Sequence, residues 1–88
     1  MSNVITVHGR VMERHPEIRP EDVAHAWANR IASATRYSKW PTQYMAIGLG
    51  ENGRMLEMAA VEQEDGTLLV FHAMIPPSAK TLREVGLR

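Results

Sequence analysis

Histidine and carboxylate side chains carry most of the chemistry that this sequence offers, because it contains four histidines and no cysteine. His72 and Glu57 fall in two apolar segments of strand-like character, and the register predicted below makes them diagonal neighbours on one sheet face. A carboxylate beside an imidazole holds the ring in one tautomer, which suits general acid–base catalysis. The alternative is a structural histidine whose ring packs on Val70 and donates one hydrogen bond.

A second group of candidate residues lies near the N-terminus, on a predicted helix from His8 to His15. These two histidines are seven residues apart, or about 10 Å along a helix axis, which is too far for both to bind one metal ion. The alternative is that the two histidines lie at the edge of the core or face solvent. Arg10 and Arg14 lie one turn apart among acidic residues, which indicates either a solvated face or, for Arg14, a phosphate contact. With no zinc-ligand spacing and no phosphate-binding glycine loop, we expect neither a metal nor a cofactor.

Two dipeptides predict the sheet that must position these side chains. Asn52-Gly53 and Asp65-Gly66 accept positive φ at both centres of a type I′ turn, and each lies between apolar segments. Two-residue turns at these places pair the residue before each dipeptide with the residue after it. The resulting antiparallel strands are expected near 43–49, 54–63 and 67–75.

The two predicted registers agree on one apolar face and one mixed face, and a slip of one residue would exchange the faces. The helix-covered face is predicted to contain Met45, Ile47, Leu49, Leu56, Met58, Ala60, Phe71, Ala73 and Ile75. The open face is predicted to contain Tyr44, Ala46, Gly48, Glu57, Ala59, Val61, Val70, His72 and Met74. We therefore expect any functional surface to include the open face, with Tyr44 near the His72–Glu57 pair.

The remaining segments predict one α+β domain over residues 1–88, of order β-α-α-β-β-β-α, with a three-stranded antiparallel meander covered by helices on one face. Residues 4–7 favour an edge strand, and a second helix begins at Pro20. Residues 35–42 form a loop, and Ser78 caps a final helix that ends at Gly86. The buried stripe of the second helix is predicted to contain Val23, Ala26, Trp27, Ile31 and Ala34.

Composition narrows the possible functions. The formal net charge is zero, which argues against strong non-specific binding to nucleic acid, although basic residues cluster around residues 30–39 and 80–88. Residues 1–6 lack a basic segment followed by an apolar one, so we expect no signal peptide. No apolar segment approaches the roughly 20 residues that span a bilayer. We expect a cytoplasmic protein that does not bind membranes.

Four segments together resemble the BrnT-like toxins of bacterial toxin–antitoxin systems. They are Arg14-His-Pro-Glu-Ile-Arg-Pro-Glu-Asp-Val-Ala, Gln43-Tyr-Met-Ala-Ile-Gly, Asn52-Gly-Arg-Met-Leu-Glu and Leu69-Val-Phe-His-Ala-Met. The resemblance extends over most of the chain between Arg14 and Ala73, through loose motifs. It implies a RelE-like fold, ribonuclease activity on RNA and a cognate antitoxin protein as partner.

The resemblance also implies roles for individual residues. Arg14 and His15 occupy the family's basic–histidine positions, Tyr44 its strand tyrosine and Arg54 its hairpin arginine. Many such toxins carry a run of arginines after the closing strand, where this chain has only Lys80 and Arg83.

The first hypothesis is therefore an endoribonuclease toxin that cuts RNA without a metal. His15, His72, Glu57 and Tyr44 would be catalytic, and Arg14, Arg54, Lys80 and Arg83 would bind RNA phosphate. The second hypothesis is a toxin-fold interaction module without catalysis, which binds a partner protein through the same sheet face.

Overall fold

The structure, a computed structural model, describes residues 4–88, which form one five-stranded sheet and three helices. In chain order the elements are β1 (Ile5–Val7), α1 (Gly9–Arg14), α2 (Pro20–Ala28), β2 (Ala32–Arg36), β3 (Gln43–Leu49), β4 (Met55–Glu62), β5 (Leu68–Met74) and α3 (Ala79–Glu84). The strands lie in the order β1-β5-β4-β3-β2; β1 is parallel to β5, and all other neighbours are antiparallel. The α+β class is confirmed, but the sheet is larger than the predicted meander.

The additional strand is β2, in a segment where the sequence had predicted the end of a helix and a loop. Helix α2 ends at Ala28, and the Ile31 amide already donates to the Ile47 carbonyl. Residues 32–36 then pair along β3, so Ala34 belongs to the sheet and Ile31 is exposed. The apolar residues of this segment recur at helical spacing, but hydrogen bonds to β3 outweigh that local preference and hold the segment as a strand.

Both hairpin turns contain three residues rather than two. Only the glycines, Gly53 and Gly66, have positive φ, whereas a type I′ turn also needs it at the preceding residue. In each turn the preceding side chain instead accepts a hydrogen bond from a backbone amide: Asn52 Oδ1 from Arg54 (3.1 Å) and Asp65 Oδ1 from Thr67 (3.0 Å). The longer loops shift both predicted registers by one residue.

The shift exchanges the two faces of β3. Gly48 lies opposite Leu56, and Ala46 opposite Met58, so the smaller residues of β3 face the helices. Tyr44 also lies on that face, packed against the core, whereas Met45 and Ile47 lie on the open face. The predicted placement of Tyr44 on the open face was therefore wrong.

A β-bulge in β5 compensates for the same shift in the second hairpin. Ala60 pairs with Val70 but Ala59 pairs with His72, which leaves Phe71 as the extra residue. Beyond the bulge the predicted register is restored, so His72 and Glu57 do share the open face. Phe71 itself is only half-buried and is not covered by α2, contrary to the prediction.

Helices α1 and α2 cover the face of the sheet opposite to His72 and Glu57. The core lies between these helices and that face. The buried residues are Val11, Ile18, Val23, Ala26, Trp27, Ala46, Leu56, Met58, Ala60, Leu68, Val70 and Ala73. Helix α2 approaches β3 so closely that a Cβ on Gly48 would lie 2.1 Å from the Ala26 carbonyl oxygen. His25 Nδ1 donates to the Leu49 carbonyl at 2.9 Å, which is a second link between α2 and β3. This close approach explains why β3 turns its small residues toward the helix.

The two short helices are positioned by their caps. His8 Nδ1 accepts from the Arg10 amide (3.1 Å) at the start of α1, and the His8 amide donates to the Val70 carbonyl. Helix α1 therefore continues along the edge of β5 where β1 ends. Ser78 Oγ accepts from the Thr81 amide (3.2 Å), as predicted for the cap of α3. Within residues 4–88, no helix is long and apolar enough to cross a membrane.

We predict that Gly48→Ala lowers the free energy of unfolding by about 3 kcal/mol or more, at the upper end of overpacking costs, because the new methyl group meets backbone rather than a movable side chain. Gly9→Ala is the matched control: no atom lies within 4 Å of its added Cβ, and alanine favours a helix, so stability should rise by up to about 1 kcal/mol. Urea unfolding followed by circular dichroism measures both. Wild-type stability in Gly48→Ala would contradict the docking of α2 on β3.

Candidate functional site

The His72–Glu57 pair lies on the open face of the sheet. His72 Nε2 and Glu57 Oε2 are 2.7 Å apart, and the Glu57 side chain is 7% exposed against 34% for His72. The predicted contact between these two residues is confirmed. An ionised Glu57 can only accept, so His72 Nε2 carries the proton and Nδ1 retains the lone pair of the neutral ring.

The Glu57 carboxylate has a second set of partners at the start of α3. Its Oε1 accepts from the backbone amide and from the hydroxyl of Ser78, both at 2.9 Å. Burial alone would raise the pKa of Glu57, but hydrogen bonds from the Ser78 amide, His72, the Ser78 hydroxyl and Thr81 together hold that pKa below its usual value of 4.5. Glu57 is therefore an anion at neutral pH and links β4, β5 and α3.

A cavity of about 430 Å³ opens beside this pair; we call it the open-face groove. It crosses the sheet from β5 to β2, and α1 contributes residues to its lining. Its lining residues are Arg10, Val11, Arg14, His15, Arg36, Gln43, Met45, Glu57, Ala59, Phe71, His72 and Ala73. Three guanidinium groups and two imidazoles thus share one concave surface with a single carboxylate.

Arg36 is held in place by the last turn of α3. Its Nε and Nη2 donate to the two oxygens of Glu84, both at 2.7 Å, and its Nη1 donates to Gln43 at 3.3 Å. The hydrogen bonds from Arg36 lower the pKa of Glu84, and those to Glu84 raise the pKa of Arg36. The geometry shows a carboxylate bound in bidentate fashion at the edge of the groove.

Four of the eight predicted site residues meet in the open-face groove: Arg14, His15, Glu57 and His72. Tyr44 lies on the opposite face of the sheet. Arg54 lies at the far end of β3, where its Nη2 donates to the Glu17 carbonyl at 3.1 Å. The structure does not bring Tyr44 or Arg54 to the groove.

Lys80 and Arg83 project from α3 into a neighbouring depression, the α3 cleft. This cleft is lined by Arg36, Ser38, Lys39, Lys80, Arg83 and Glu84. Because Arg36 lines both cavities, the α3 cleft lies next to the open-face groove.

Sequence reasoning missed Arg10, Arg36 and Gln43 as site residues. Arg36 and Gln43 reach the groove because they are cross-strand partners in β2 and β3, and β2 was not predicted. Arg10 had been noted one turn before Arg14, and this spacing was the available signal. Among residues 4–88, no three side chains of His, Cys, Asp or Glu converge in a way that could hold a metal ion.

Comparisons of the chain with protein-family models, with curated proteins and with solved structures found no match.

We predict that Glu57→Gln lowers the free energy of unfolding at pH 7 by about 1–3 kcal/mol, because the amide cannot accept all the hydrogen bonds that end on the carboxylate. The folded-state pKa of Glu57 is depressed, so its contribution is complete above about 4.5 and is lost as the pH falls through the folded-state value. The difference in stability between the two proteins should therefore shrink as the pH falls below about 4.5.

Urea unfolding at a series of pH values measures this difference. Glu62→Gln is the matched control, because Glu62 is an exposed carboxylate on the same strand. It should change stability at pH 7 by less than about 0.5 kcal/mol. A pH-independent difference for Glu57→Gln would show that the carboxylate is not the group that links the three elements.

Proposed function

We propose that the open-face groove binds RNA and cleaves it without a metal ion, and that the chain is the toxin of a toxin–antitoxin pair. The observation that carries the proposal is the juxtaposition of a carboxylate-bound imidazole, a second imidazole and three guanidinium groups in one groove. These are the groups that transfer of a phosphoryl group between RNA oxygens requires.

In the proposed reaction the ribose 2′-oxygen attacks the adjacent phosphorus and the bond from phosphorus to the 5′-oxygen breaks. His72 Nδ1 takes the proton of the 2′-hydroxyl, while Glu57 holds the ring through Nε2 and stabilises the imidazolium that forms. His15, at the end of α1, gives a proton to the departing 5′-oxygen. The products are a 2′,3′-cyclic phosphate and a 5′-hydroxyl, so no water or cofactor is consumed.

Arginine side chains stabilise the charge that develops on the phosphoryl oxygens in this proposal. Arg10 and Arg14 are exposed on α1 and line the groove, and Arg36 lines it from β2. Where many BrnT-like toxins carry a run of arginines after the closing strand, this chain has few basic residues. Arg10 supplies a further guanidinium group from α1, whereas Arg36 is already paired with Glu84. The two arginines of α1 therefore support an RNA site despite a net charge of zero.

The RelE-like fold and the cognate antitoxin also belong to this proposal. They rest on the resemblance in sequence and are compatible with an α+β domain in which α1 and α2 cover one face of the sheet and a groove lined by cationic side chains lies on the other face, beside α3. An antitoxin that inhibits the protein would occupy the open-face groove with acidic side chains.

A specific observation also favours the second candidate, a binding module without catalysis. Glu84 already neutralises Arg36, and the bidentate pair illustrates how a partner's carboxylate would sit in the groove. Salt does not separate a partner's carboxylates from RNA phosphates, because it weakens binding led by either anion. Cleavage of RNA does separate the two candidates, because a binding module leaves the RNA intact.

We predict that expression of the wild-type chain without a partner arrests bacterial growth and shortens cellular RNA. His15→Ala and His72→Ala should each relieve the arrest, since general acid–base groups typically contribute 100- to 10,000-fold to rate. Arg14→Ala should also relieve it, since loss of one group that stabilises transition-state charge costs roughly 100- to 1,000-fold. Arg19→Gln is the control: Arg19 is exposed and lies near the opposite end of β3, so this variant should remain toxic. Arrest that persists in all three folded groove variants would refute the assignment.

The same variants separate the two histidines in a cleavage assay with purified protein. A substrate with sulfur in place of the bridging 5′-oxygen has a leaving group that needs no proton. It should restore cleavage by His15→Ala but not by His72→Ala. If this substrate restores cleavage by His72→Ala and not by His15→Ala, then His72 is the acid and His15 is the base.

A further inference from the structure

Two aromatic side chains on the loop between β2 and β3 are almost fully exposed to solvent. Trp40 is 95% exposed and Tyr37 is 83% exposed, whereas the chain's other tryptophan, Trp27, is 1% exposed in the core. Exposure of large aromatic rings costs the hydrophobic free energy that burial would provide. A pair of them on one short loop indicates a surface that binds something flat and apolar.

The loop that carries these rings has defined ends. Arg36 and Gln43 pair across β2 and β3, so only six residues separate the last pair of the ladder, and the Lys39 amide donates back to the Arg36 carbonyl at 3.3 Å. Both flanking residues also line the open-face groove. The aromatic loop therefore begins and ends at the groove.

Cationic side chains surround the base of the loop. Lys39 lies between the two aromatic residues in sequence and lines the α3 cleft with Arg36, Lys80 and Arg83. Glu84 is the one carboxylate among the residues that line this cleft, and it is already bound by Arg36. The surface beside the aromatic rings thus attracts anions more strongly than the chain's net charge of zero suggests.

Aromatic rings next to a track of cationic side chains are the two features that bind single-stranded nucleic acid, in which bases stack on the rings and phosphates meet Lys and Arg. We propose that Tyr37 and Trp40 form a base-stacking platform, and that the RNA bound by this protein is single-stranded and runs from the open-face groove through the α3 cleft to this loop. The proposal deepens the proposed function by naming its substrate class. Paired bases cannot stack on the platform, so duplex RNA is a poor ligand.

The two tryptophans make the test direct. Fluorescence of the protein is titrated with a single-stranded RNA decamer whose 2′-oxygens are methylated, so that it cannot be cleaved. Stacking on Trp40 should quench the fluorescence, while buried Trp27 gives a constant background. Trp40→Leu should retain the background and lose the response. Inorganic polyphosphate, which has charge but no bases, and the decamer paired with its complement should give less than a tenth of the quenching.

Binding of the fluorescein-labelled decamer, followed by anisotropy, supplies the affinities. Trp40→Ala should weaken binding about 5- to 150-fold, the range that stacking of one base on an aromatic ring contributes. Lys39→Gln and Lys80→Gln should weaken it and reduce its dependence on salt. The controls are Leu49→Ala, an exposed apolar residue at the other end of β3, and Arg19→Gln, both of which should bind as the wild type does.

Wild-type affinity in Trp40→Ala and Tyr37→Ala, or equal quenching by polyphosphate, would overturn the platform and assign the rings to a protein partner. Cleavage of RNA without quenching would also reject the platform and leave the proposed nuclease intact. Quenching and binding without cleavage would support the platform and reject the nuclease.

Discussion

The buried carboxylate of Glu57 is the interaction on which the organisation of the open face depends. Glu57 sits in the middle of β4, and its two oxygens accept from His72 on β5 and from Ser78 at the start of α3. A buried anion is stable only while these donors surround it, because an unpaired charge away from water costs several kcal/mol. The same requirement orients the imidazole and places α3 over the sheet. The far end of that helix then holds Arg36 through Glu84. One charge in β4 thus fixes a groove that reaches from β5 to β2.

Much of the fold followed from local signals in the sequence. The start of α2 at Pro20, the cap of α3 at Ser78 and the bounds of β3 were predicted correctly, because each depends on the residues at that place. The length of each hairpin turn was not, since Asn52 and Asp65 are suited to two kinds of turn. At the first hairpin, the longer turn places Gly48 against α2, where a larger residue would meet the Ala26 carbonyl. A contact between residues 26 and 48 has no signature in the spacing of either segment.

The site was predictable to the extent that it depends on β4 and on β5 beyond the bulge. His72 and Glu57 meet because the extra residue Phe71 offsets the extra residue of the turn, so two errors in the predicted register cancel at His72. Tyr44 had no such compensation and lies on the other face. Arg36 required a strand that helical periodicity had concealed. The polar pair joins two strands of one hairpin, whereas the cationic residues around it come from α1 and β2, which only the tertiary structure brings to the same groove.

The central claim is that RNA binds and reacts in the open-face groove. The most direct measurement is a map of backbone amide shifts on ¹⁵N-labelled protein titrated with the methylated RNA decamer. The account predicts that the largest changes lie at Arg14, Gln43 and His72, with no change near Arg19 and Arg54 at the far end of β3. Changes confined to that far end, or to the helix-covered face of the sheet, would contradict it.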